Sequence, residues 1–139
     1  MCVLVAIAST TLTADDRQMA IQEATVALQR GSATFAERIV NEVIAAHPND
    51  AAGFALLGAV LDAEKRYPEA GASYRRAIQL APPSPELLNK YATHQLAVGD
   101  IAGASATLLK FASPDGKQNR AAAKLLRCVS VNVKESGAQ

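Results

Sequence analysis

The amino-acid sequence predicts an all-α fold, a row of short helical hairpins packed side by side. Three observations carry that prediction. Half of the residues are hydrophobic, yet only 4% are aromatic and tryptophan is absent. Alanine, leucine and valine with scattered Glu, Gln, Arg and Lys favour helices packed closely through small side chains, whereas strands need more β-branched and aromatic residues. Three segments end alike, Ala45-Ala46-His47-Pro48, Gln79-Leu80-Ala81-Pro82 and Phe111-Ala112-Ser113-Pro114, and the first two prolines stand 34 residues apart. Between these stops, apolar residues recur at the i, i+3, i+4, i+7 spacing of one helix face. A chain of 139 residues is long enough for one domain with a real core and too short for two ordinary ones.

The chain opens on an apolar segment, residues 1–14. The run Cys2-Val3-Leu4-Val5-Ala6-Ile7-Ala8-Ser9 resembles a signal-peptide core that ends in a small-residue cleavage site. No Lys or Arg precedes it, and Cys2 follows Met1 directly, without the residues that precede a lipoprotein cysteine. Two readings stay open. An export signal, clipped or wrongly started, puts the protein in the periplasm or outside the cell; a plain apolar segment leaves it in the cytoplasm. No run approaches the roughly 20 apolar residues that a membrane span needs.

Asp15-Asp16 suit the start of the first helix, where negative charge complements the helix dipole. The middle segment is the clearest. Residues 51–84 read AAGFALLGAVLDAEKRYPEAGASYRRAIQLAPPS. Asp50 is a good N-cap, and Phe54, Leu57, Gly58 and Leu61 share one face. Lys65-Arg66-Tyr67 breaks that helix, and Pro68 suits the first turn of the next. Ala70, Tyr74, Ala77 and Ile78 form the second stripe, and Pro82-Pro83 stop it. The result is two antiparallel helices of about 13 residues each, an ordinary length. Gly58 and Ala70 lie where they cross, so the backbones approach closely while Phe54 and Tyr74 fill the space beside them.

Phe54, Leu57, Gly58, Leu61, Ala70, Tyr74, Ala77 and Pro82 resemble, in register, the tetratricopeptide repeat, with its 34-residue period and its W-x2-L-G-x2-Y, A-x3-F, A and P positions. One period on, Leu88, Tyr91, Ala92, Gln95, Ala104, Leu108 and Phe111 follow, with Gly99-Asp100 at the turn and Ser84-Pro85-Glu86 as a helix start. One period back stand Ala20, Ala24, Ala27, Gly31, Ala36, Val40, Val43 and Pro48. Glu23 departs from the expected leucine, so the first helix is degenerate and its edge is either solvated or covered by the N-terminal tail. After Pro114-Asp115-Gly116 a last helix carries Ala122, Leu125, Leu126 and Val129 on one face. The resemblance implies a right-handed superhelical solenoid of three hairpins, about 17–50, 51–84 and 85–118, plus a capping helix at about 117–131. The domain then spans 15–131, and the tail 132–139 frays.

What the resemblance implies for function is a concave groove lined by the first helix of each repeat. On this sequence its positions are Gln18, Ile21, Thr25, Leu28 and Gln29, then Ala52, Ala55, Ala59, Asp62 and Ala63, then Glu86, Asn89, Thr93, Leu96 and Ala97. The middle repeat offers an alanine floor on which a helix or extended peptide can lie close. Ile21, Leu28 and Leu96 supply apolar contacts, Gln18, Gln29 and Asn89 pair with peptide groups, and Asp62 and Glu86 make the trough mildly acidic. Family members that clamp a C-terminal carboxylate use Lys, Arg and Asn in the groove; Ile21 and Thr25 stand at two such places here. The expected partner is therefore another protein, held by an adaptor or assembly factor. A self-associating structural module and a small secretion-type chaperone are the alternatives.

Other functions lack their residues. The 14 basic and 13 acidic side chains nearly balance, where nucleic-acid binders cluster a basic excess on one face. Lys65-Arg66 and Arg75-Arg76 read as solvated helix ends and faces. Cys2 and Cys128 form no CxxC pair and have no histidines at ligand spacing. His47 and His94 read as surface or capping residues. Gly53 and Gly58 have the spacing of a phosphate loop, but Ala59-Val60 follow in place of Lys and Ser/Thr. Carboxylates stand together at Asp15-Asp16 and at Asp62 and Glu64, but no pair is isolated among apolar residues in the way that suits general acid work. No GxSxG, HExxH or Cys–His arrangement is present, so neither an enzyme nor a cofactor is expected.

Overall fold

The computed structural model describes residues 13–110. Six α-helices occupy that span: α1 (Ala14–Gln29), α2 (Ala33–Ala46), α3 (Ala51–Ala63), α4 (Tyr67–Leu80), α5 (Pro85–Ala97) and α6 (Ile101–Lys110). No strand occurs among the described residues. The apolar run up to Leu12, Phe111, both cysteines, the expected helix at about 117–131 and the tail 132–139 lie outside them.

The first helix of each hairpin starts on a side-chain cap. Thr13 and Asp16 form a reciprocal capping box on α1, Asp50 accepts from the Ala52 amide at 3.0 Å, and Ser84 accepts from the Leu87 amide at 3.2 Å. Each satisfies an amide that has no partner within its helix. Pro68 and Pro85 sit in the first turns of α4 and α5, where the missing N–H costs nothing.

The turn inside each hairpin repeats with the same period. Gly31, Lys65 and Gly99 have φ of 81°, 61° and 82°, each just past the end of a first helix. The amide after each reaches back to the helix, Ser32 to the Ala27 carbonyl, Arg66 to Leu61 and Asp100 to Gln95, at 2.9, 2.8 and 2.8 Å. Those bonds close the helix on a left-handed residue, the usual place for glycine. Lysine holds that conformation in the middle turn, against the steric preference of its Cβ. Arg66 next to it lies at a helix end, as expected, with its side chain 39% exposed, and it is also tied to three carboxylates. Its guanidinium spans Glu37 of α2 at 2.8 Å, Glu64 at 3.0 Å and Glu69 of α4 at 2.6 Å, and these hydrogen bonds, Glu69 first, push its pKa up.

Packing runs along the chain, each helix against the next, and α1 touches α3 and α3 touches α5. The first helices therefore form the inner rank of the curve. One core cluster joins α1, α2 and α3 through Ala24, Ala27, Ala36, Ile39, Val40, Leu56 and Val60. A second joins α3, α4 and α5 through Leu61, Ala70, Tyr74, Ala77 and Leu87, and a third joins α5 and α6 through Ala92, Ala104 and Leu108. The crossing at Gly58 is as tight as its sequence position implied: a Cβ there would stand 2.9 Å from the Tyr74 ring. Among the described residues, no helix is long and apolar enough to cross a membrane.

Candidate functional site

The fifteen groove positions fall on α1, α3 and α5, and none of them is buried. Gln18, Ile21, Thr25, Ala52, Ala55 and Glu86 line a cleft of about 760 Å³, floored by Ala51, Ala52 and Ala55 and edged by Ala81, Pro82 and Ser84 of the α4–α5 connection. Leu28, Gln29, Ala59, Asp62, Ala63, Asn89, Thr93, Leu96 and Ala97 lie along the same three helices outside that cleft. Leu28 and Leu96 lean on the first and third cores. The signature residues Phe54, Leu57, Leu61, Ala70, Tyr74 and Ala77 pack around the middle hairpin, behind the groove.

Polar groups in the groove are largely engaged within the chain. The Thr25 hydroxyl donates to the Ile21 carbonyl at 2.7 Å, and that of Thr93 to Asn89 at 2.8 Å. Lys90 meets Glu86 at 2.9 Å and holds the Glu86 carboxyl below its usual range. The buried Asn89 Oδ1 has no partner in the protein. The groove thus offers an apolar floor with few free charges.

Asp62 lies 2.6 Å from His94 Nδ1, a contact between α3 and α5. His94 is not the surface or capping residue expected, because it is 6% exposed. Its ring stacks on Tyr91 at 6.2 Å and 11° and lies 5.5 Å from Tyr74. Gly71 of α4 makes the room: a Cβ there would stand 2.9 Å from His94 Nε2. Burial, then the Asp62 carboxylate, push the Tyr74 phenol well above its usual range, so it stays neutral. These groups fasten the third hairpin to the second.

A second cross-repeat pair was also missed in the sequence. Arg17 of α1 grips the Asp50 carboxylate with Nε at 2.6 Å and Nη2 at 2.7 Å. Burial raises the Asp50 carboxyl, but Arg17 and the Ala52 and Gly53 amides outweigh it and hold the group below its usual value. The two pairs are separated by 33 and 32 residues. Opposite partners placed just short of one period were the signal available. Among the described residues no group of three or more His, Cys, Asp or Glu side chains is placed to hold a metal ion.

No protein-family model matches the chain, and no curated protein does. Solved structures do. The TPR2B domain of yeast Sti1 in a pHsp70 complex has a TM-score of 0.72 and 27% identity, covering 84% of this chain and 97% of that one. The TPR2AB domain of yeast Sti1 in a pHSP90 complex has a TM-score of 0.73 and 26% identity over 86% of this chain. This chain spans only 48% of that longer one. The type III secretion chaperone SycD of Yersinia enterocolitica, in complex with a peptide of the translocator YopD, has a TM-score of 0.69 and 21% identity, covering 86% of this chain and 96% of that one. The shared architecture is the tetratricopeptide type of helical repeat.

Proposed function

We propose that this tetratricopeptide-type helical-repeat chain is a non-catalytic adaptor or assembly factor, whose groove holds a peptide or helix of a partner protein. The single observation that carries this reading is the cleft itself, with its alanine floor open between the inner helices. A backbone can approach bare alanine closely, and extended or helical segments bury area there without displacing bulky side chains. Structures of similar fold that contain a YopD peptide or the chaperone-binding region of PopB support the reading, and a small secretion-type chaperone fits it equally. The absence of free cations on the floor favours an apolar internal segment over a C-terminal carboxylate. Within this reading the functional unit is residues 15–131, three hairpins closed by a helix at about 117–131. If residues 1–14 are an export signal, the adaptor works in the periplasm or outside the cell; otherwise it works in the cytoplasm.

The test compares capture of proteins from a host lysate by the native chain, by Ala52→Arg in the cleft and by Ala72→Arg on the exposed side of α4. A partner held by the native chain and by Ala72→Arg, but about tenfold less by Ala52→Arg, supports the groove. Equal capture by all three, or recovery of the chain alone, favours the outer faces or self-association and refutes it.

A further inference from the structure

The 34-residue period assigns equivalent positions to the three hairpins, and α1 departs from it on one face. In α3, Leu56 and Val60 are 5% and 0% exposed, packed in one cluster with Ile39 and Val40 of α2. Their counterparts one period earlier are Gln22 and Val26, and Val26 is 42% exposed. Met19 at 60% and Phe35 at 41% stand beside it, so half of the six large apolar side chains exposed among the described residues fall here. They border a shallow depression between α1 and the start of α2, and Arg38 lies over the Phe35 ring at 5.0 Å. Apolar side chains gathered in one exposed patch mark a contact surface.

The charges around the patch point to what covers it. Glu23 and Arg30, the C-cap residue of α1, edge the same depression, and both are exposed. Neither takes part in an ion pair among the described residues. They stand seven residues apart, about 10 Å along the axis, whereas pairs within a helix form three or four apart. A two-fold axis between Val26 and Ala27 lays α1 of a second copy antiparallel across the first. It sets Glu23 of each copy opposite Arg30 of the other, and the same rotation carries Met19 of one toward Phe35 of the other. An acid and a base placed symmetrically about an apolar centre make a face complementary to itself. We propose that this face of α1 pairs with its equivalent on a second copy of the chain, as an isologous dimer.

An unrelated protein would have to carry the same two charges in reverse order, whereas a second copy has them by symmetry. Glu23, which stands where the repeat signature expects leucine, thereby gains a role as a contact. The face is one helix wide, well under the roughly 800 Å² per partner of a standard interface, so the pair is weak, with a Kd on the order of 10–100 μM. Gln22 and Val26 form the ridge between this depression and the cleft. The floor at Ala51, Ala52 and Ala55 lies on the cleft side alone. Pairing leaves that floor open, and this inference stands whether or not the groove holds a partner.

The test is sedimentation equilibrium of the full chain under reducing conditions, from about 5 to about 500 μM, a range that brackets weak pairing. The native chain should pass from monomer to dimer. Glu23→Arg and Arg30→Glu each set like charges opposite one another, and each should weaken dimerisation about tenfold. Both side chains are exposed, and circular dichroism checks that the helices are kept. An equimolar mixture of the two variants should restore pairing, because only the mixed dimer again sets acid against base. The double variant should restore it too. A monomer at every concentration overturns the proposal. So does a dimer indifferent to the single reversals, which would lie on another face. Single reversals that neither the mixture nor the double variant rescues overturn it as well.

Discussion

At Gly58 the two helices of the middle hairpin meet with the Tyr74 ring between them, and Tyr74 is 2% exposed. Neither backbone nor ring has room to yield, because Ala70 and Ala77 behind it are fully buried. Gly58→Leu should therefore cost about 3 kcal/mol by overpacking, seen as a fall of more than about 10 °C in Tm. An unchanged Tm would contradict the placement of that crossing. Lys65 gives the opposite prediction. A left-handed lysine costs about 1–2 kcal/mol, and glycine recovers it less the 0.4–1 kcal/mol, roughly, of freedom it adds to the unfolded chain. Lys65→Gly should stabilise by about 0.5 kcal/mol in urea titration, whereas a loss of stability would mean that the lysine side chain has a role of its own. Gly58 was legible because the signature motif marks it. His94 was not: its partner Asp62 is 32 residues away, and neither neighbouring sequence nor helix periodicity brings the two together.

At the scale of elements, the caps and turn residues were read directly, since Asp50, Ser84, Pro68, Gly31 and Gly99 act within a few residues of themselves. The faces between hairpins were not. α3 is apolar around most of its circumference, so periodicity could not separate Leu56 and Val60, which meet α2, from Leu61, which meets the hairpin's own partner, or show that Leu57 packs against both cores. Arg17 and Asp50 join α1 to the start of α3, with the Asp50 side chain only 5% exposed. Arg17→Leu should cost about 2 kcal/mol in urea titration, because it leaves a buried carboxylate without its partner. Asp50→Ser, which keeps a cap, should restore part of that loss in the double variant. The pair also sets a pH dependence. Folded Asp50 lies below its unfolded value of 3.8, so the unfolded chain binds more protons in that window. The contribution is complete above about pH 4 and is lost as pH falls through the folded value. Carboxyl NMR titration should place Asp50 below 3.8 in the native chain and higher in Arg17→Leu; the same titration in both would contradict the account.

For the whole molecule, the order of helices and the inner rank followed from the 34-residue register, because a repeat stacks equivalent positions by construction. The extent of the cleft did not. It takes in the starts of α3 and α5 and the Ala81–Ser84 connection, and it omits Ala59, whereas the register alone treats all first-helix positions alike. Asp62, read as a groove acid, is turned instead to His94, a choice made by how closely the third hairpin sits on the second. We propose that the inner rank, and in particular the cleft beside α1, α3 and α5, takes the partner. Methyl NMR of the chain, titrated with the minimal segment of a captured partner, tests it most directly. Shifts confined to Ile21, Ala52, Ala55 and Leu87 are the predicted result. Shifts centred on α2 and α4, at Ala45, Ala72 or Ile78, would place the partner on the outer rank and contradict it.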